Sequence, residues 1–138
     1  MATLSFSPAE VNKISGAVVN AAMKVHTLLG PGLLERTYQA CLAHELRKRG
    51  VKVDSQVPLP VVYEGEKLEL GYRIDLLVEN RIIVEIKCVE AAHPVHQAQR
   101  LSYLRLSGRH VGLLINFHVE HLKDGITRMV DGYGWEKP

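Results

Sequence analysis

Apolar residues recur at three- and four-residue steps through Val11, Ile14, Val18, Ala21 or Ala22, Val25 and Leu28. This spacing predicts a first helix with one stripe turned to a core. Ser7-Pro8-Ala9-Glu10 marks its start: Ser7 caps, Pro8 takes the first helical position, and Glu10 can reach back to complete a capping box. Gly30-Pro31-Gly32 ends it. Leu34, Tyr38, Leu42 and Leu46 then step by four, predicting a second helix over about 33–49 that Gly50 terminates.

Over 51–88 the period changes to two, as expected of a meander of strands: Val51, Val53 and Val57, then Val61 and Tyr63, then runs over 72–78 and 82–88. Glu64-Gly65-Glu66 and Glu79-Asn80-Arg81 separate the runs as hairpin-type turns, and connections this short favour antiparallel pairing. Pro58 and Pro60 place the early strand at an edge. His93-Pro94 opens a third helix that Gly108 closes, and the run 111–117, apolar on both faces, predicts a central strand covered on its two sides. Leu122, Ile126, Met129 and Val130 predict a short last helix despite Gly125, followed by a frayed tail over 132–138. The order reads as one α/β layer sandwich, a single domain over 1–138, in which a crossover helix returns the 111–117 strand to the same sheet.

A chain of 138 residues, 46% hydrophobic and 23% charged, has room for one core and is neither disordered nor collagen-like. No apolar run approaches the ~18 residues of a membrane helix, and Met1 to Phe6 lacks a signal peptide's regions, so the expected location is the cytosol with no membrane partner. A net charge of +2 excludes a field that draws polyanions to the whole surface; nucleic acid would be held locally. Arg47-Lys48-Arg49 falls in the last turn of the second helix, where it complements the helix dipole. Cys41 and Cys88 form no CxxC pair and read as small apolar residues, and the His93/His96 and His118/His121 pairs lack a third zinc ligand.

Chemistry concentrates in the strands. Asp75 lies among strand-forming apolar residues, where an uncompensated acid is costly to bury. In Val84-Glu85-Ile86-Lys87, Glu85 and Lys87 are two apart and emerge from one sheet face. If the two strands pair through the turn near Asn80, the Asp75 and Glu85 carboxylates converge, and magnesium accepts such a sparse oxygen set. Lys87 would then orient water or stabilise charge on a phosphorus centre under attack, which suits phosphodiester hydrolysis. The competing reading is a cross-strand ion pair in which Lys87 neutralises one of the acids. On the second helix, Glu35 near the start suits the positive end of the dipole and Tyr38 suits the apolar stripe.

Asp75 followed by Glu85-Ile86-Lys87 resembles the split acid and (D/E)xK signature of the PD-(D/E)XK nuclease superfamily, with Ile74 standing where the signature has proline. Gly32-Leu33-Leu34-Glu35-Arg36-Thr37-Tyr38 is similar to the motif of the GxxExxY protein family within that superfamily, and the resemblance extends from about Val11 to Val130. It implies a three-layer restriction-endonuclease-like core, a mixed sheet flanked by helices. Asp75 and Glu85 would be metal ligands, Lys87 the catalytic lysine, and Glu35 would project toward the same metal. Gln99-Arg100-Leu101-Ser102-Tyr103 is similar to the QxxxY element of RecB-type nucleases, which would turn Gln99 and Tyr103 to the active site on one helix face.

The expected activity is therefore hydrolysis of nucleic acid, DNA foremost, by water activated on Mg2+ or Mn2+. The alternatives are a non-catalytic nucleic-acid- or protein-binding module that keeps the scaffold, gripping its partner through surface arginines such as Arg100 or Arg105, and hydrolysis of a smaller phosphoester. So short a chain has little surface for reading base sequence, and a homo-oligomer would enlarge it.

Overall fold

The computed structural model describes residues 7–90 and 93–132, so most of the tail expected to fray lies outside the described residues. Helix α1 spans Pro8–Leu29; Ser7 Oγ accepts the Glu10 amide and Pro8 sits in the first turn, where its missing N–H costs nothing. Helix α2 spans Glu35–Lys48, with Arg47 and Lys48 in its last turn. Strand β1 (Val53–Pro58) precedes two short strands, β2 (Val61–Tyr63) and β3 (Glu66–Leu68), then β4 (Arg73–Val78) and β5 (Ile82–Lys87). Helix α3 (Pro94–Ser107) starts on a His93 cap and ends at Gly108 in the left-handed region, and β6 (Val111–Asn116) follows.

The main sheet has the order β1-β4-β5-β6-β7, where β7 is Ile126–Val130. Neighbours are antiparallel except β5 and β6, which the α3 crossover makes parallel. The sheet is therefore mixed, with β1 at one edge, the position that suits its Pro58. On one face, Val18, Ala22 and Val25 of α1 and Leu42 and Leu46 of α2 pack on Leu76, Val84, Leu113 and Ile115. On the other, Leu104 and Tyr103 of α3 pack on Leu77 and Ile83. Helices, sheet and helix make three layers, and β6 is buried along its whole length because both faces are covered. Tyr38 and Phe117, both fully buried, stack at 4.5 Å between ring centroids in the first of these layers.

Two expectations are corrected. The last segment is a short 3-10 turn, Leu122–Gly125, followed by β7, not a helix. A Cβ at Gly125 would overlap the Asn116 carbonyl oxygen, so the turn ends pressed against the end of β6, and the β-branched Ile126, Thr127 and Val130 suit a strand. The meander is also interrupted: β2 and β3 form a separate ribbon and β1 pairs directly with β4. With Glu64, Glu66 and Lys67 exposed alongside Val62 and Tyr63, the ribbon has no face to bury. Among the described residues, no helix is long and apolar enough to cross a membrane.

Candidate active site

The Glu79-Asn80 turn, both residues at positive φ, joins β4 to β5 as a tight hairpin. Its ladder runs from Val78 and Ile82 to Leu76 and Val84, which puts Asp75 opposite Glu85 at the next step. There the carboxylates take over the amides: Asp75 N donates to Glu85 Oε2 at 3.2 Å, and Ile86 N donates to Asp75 Oδ2 at 3.0 Å. The β1–β4 register skips the same place, passing from Ser55–Leu76 to Val57–Ile74, and Gln56 adopts φ +53. Gln56 and Gln39 approach Asp75 from the open side; Gln39 Nε2 donates to the Asp75 carbonyl at 3.4 Å. Two acids thus converge where the sheet forks.

Glu85 is 2% exposed, and burial, reinforced by Asp75, pushes its carboxyl up to about 9. Arg100 pulls in the opposite direction. Its Nη1 lies 2.5 Å from Glu85 Oε1, and its guanidinium sits 4.7 Å from the centre of the Tyr103 ring. Arg100 is thus 3% exposed and not a surface arginine, a correction to the expectation from sequence; Arg105 is exposed. Sequence reasoning missed this partner, because only the packing of α3 on the sheet brings it to Glu85.

Lys87 is half-buried at the end of β5, and its ammonium makes no hydrogen bond or ion pair among the described residues. Arg100, and not Lys87, pairs with Glu85, which leaves Lys87 uncommitted. A cleft of about 160 Å³ beside it is lined also by Asn116, Asp124 and Thr127. His96 of α3 is held below its ordinary range, first by burial and then by the Lys87 charge. Glu35, the first residue of α2, accepts the Cys88 amide at 3.2 Å, so its carboxylate lands one residue beyond Lys87. Gln99 Nε2 donates to the Tyr103 hydroxyl at 3.1 Å, and Tyr103 is buried under α3. The QxxxY pair therefore supports Arg100 from behind.

Asp75 and Glu85 are brought together, Glu35 reaches the Cys88 amide next to Lys87 at the adjacent strand end, and Tyr103, bonded to Gln99, lies against Arg100. Among the described residues, no group of three His, Cys, Asp or Glu side chains is arranged to hold a metal. A family model described as the PD-(D/E)XK nuclease superfamily matches residues 12–129. No curated protein and no solved structure matches the chain.

Proposed function

Because the chain belongs to the PD-(D/E)XK nuclease superfamily, we propose that it hydrolyses nucleic acid phosphodiester bonds with a divalent metal, and that Gly32, Glu35 and Tyr38 place it among GxxExxY proteins. The observation that carries this reading is the Asp75–Glu85 fork, two hard oxygen donors of like charge at one point of the sheet. The donor set fits Mg2+ or Mn2+, which take carboxylates and keep several waters, and it does not fit zinc. Asp75 and Glu85 would hold the cation, with Glu35 a further acid near the same strand end. When bound, the metal supplies Lewis acidity at the scissile phosphate.

The remaining work falls to side chains of this chain. Lys87, with its donors uncommitted, donates to the phosphate oxygen on which negative charge grows. Arg100 keeps Glu85 turned toward Asp75, and Gln99 with Tyr103 keeps Arg100 in place. DNA is the substrate we favour.

One observation favours a second reading. Glu85 Oε1 faces Arg100 and Oε2 accepts the Asp75 amide, so both oxygens have partners within the protein without a metal, as a non-catalytic binding module would require. Incubating the protein with single- and double-stranded DNA and RNA plus Mg2+ or Mn2+, beside Lys87→Ala, separates the two. Metal-dependent cleavage lost in the variant supports the enzyme. Equal cleavage by both proteins removes the proposed mechanism, and tight binding without turnover favours the module.

A further inference from the structure

We propose that Tyr38 is a positioning residue that fixes Glu35 against the end of β5, one residue beyond Lys87. The Tyr38 hydroxyl donates to the Gly30 carbonyl and accepts the Leu33 amide at 3.1 Å, so a single phenol closes the α1–α2 turn from both sides. Within that turn Gly32 has φ +102, a conformation other residues adopt only with strain, while no atom stands within 4 Å of where its Cβ would lie. The glycine is there for the backbone path and not for space.

The other end of Tyr38 reaches the strands. Its ring stacks on Phe117 at 4.5 Å with an interplanar angle of 11°, and the Phe117 amide donates to the Lys87 carbonyl at 2.9 Å. Glu35 returns the connection by accepting the Cys88 amide at 3.2 Å. Lys87, Phe117, Tyr38, the turn and Glu35 therefore form a closed circuit of contacts around the end of β5. Without the hydroxyl, the Gly30 carbonyl and Leu33 amide lose their partner, the turn gains freedom, and Glu35, which starts the next helix, moves with it. Gly32, Glu35 and Tyr38 form one mechanical unit: a turn, the acid it presents and the clamp that sets it.

The effect on cleavage rests on the nuclease reading above; the effect on Glu35 does not. Amide exchange followed by NMR on metal-free wild type, Tyr38→Phe, Glu35→Ala and the double variant tests the position. Phenylalanine keeps the stack and removes only the hydroxyl. Tyr38→Phe should speed exchange at both Leu33 and Cys88 by about tenfold or more, the scale of one lost hydrogen bond. Glu35→Ala should speed Cys88 and leave Leu33 protected, and the double variant should exchange at Cys88 no faster than Glu35→Ala. Unchanged Cys88 exchange in Tyr38→Phe, or uniform acceleration along α2, overturns the proposal and leaves Tyr38 a packing residue. In cleavage assays with Mn2+, Tyr38→Phe should lower kcat, hold KM and add nothing to Glu35→Ala; additive losses count against it. A wild type that cleaves nothing overturns the nuclease reading, while the Cys88 exchange still decides the position of Glu35.

Discussion

Arg100 Nη1 and Glu85 Oε1 meet at 2.5 Å between α3 and the sheet, and the two side chains expose 4% and 2% of their surface. A pair this buried recovers its desolvation cost only while both partners are present. Glu85 also faces Asp75, so its negative charge is opposed by one neighbour and supported by the other.

Replacing Arg100 by methionine keeps the volume and removes the counter-charge. Unfolding free energy at pH 10, where Glu85 carries its charge, should fall by about 3 kcal/mol, the scale for stranding one member of a buried pair. Restoring much of that loss in the Arg100→Met, Glu85→Gln double variant would show the coupling directly in urea denaturation; equal losses in single and double variants would refute it.

The pH dependence of metal-free stability follows from Glu85. Its carboxyl sits near 9 in the folded chain against 4.5 in the unfolded one, so the folded state retains a proton that the unfolded state releases. Its stabilising contribution is whole below about pH 4.5 and is lost as pH rises toward 9, at no more than about 1.4 kcal/mol per pH unit. Glu85→Gln should remove this slope. Urea midpoints measured in EDTA between pH 5 and 9 should converge or cross for the two proteins, and parallel curves would rule the effect out.

Lys87 makes no ion pair or hydrogen bond among the described residues, so Lys87→Met should leave stability within about 0.5 kcal/mol. Cleavage should fall by about 10²- to 10³-fold, as for loss of a donor aimed at developing charge. Thermal melts and single-turnover cleavage on the same preparation check the two halves together.

Gly125→Ala should destabilise the chain by about 1–3 kcal/mol, because the added methyl meets the Asn116 carbonyl, which is backbone and cannot turn aside. A melting temperature equal to wild type would mean that the approach of the 3-10 turn to β6 is looser than described.

Much of this was legible in the chain. Ser7-Pro8 and His93-Pro94 declare helix starts, Glu79-Asn80 declares a hairpin, and the two acids on its arms must face each other once that hairpin forms. Leu122, Ile126, Met129 and Val130 misled because a half-buried edge strand can match helical spacing by chance over so short a run; the β-branched Ile126, Thr127 and Val130 were the better guide. Arg100 was illegible because its worth depends on α3 crossing directly over Glu85, a long-range relation that no local pattern encodes. Tyr38 looked like one more core position, since its ring does fill the core and only its hydroxyl does otherwise.

The β2–β3 ribbon lies outside the five-stranded sheet and reverses at Glu64-Gly65, with φ of +51 and +82. Its tip is thus a natural splice point: a reporter peptide or fluorophore tag grafted between those two residues would ride on the molecule without entering any hydrogen-bonded ladder of the main sheet.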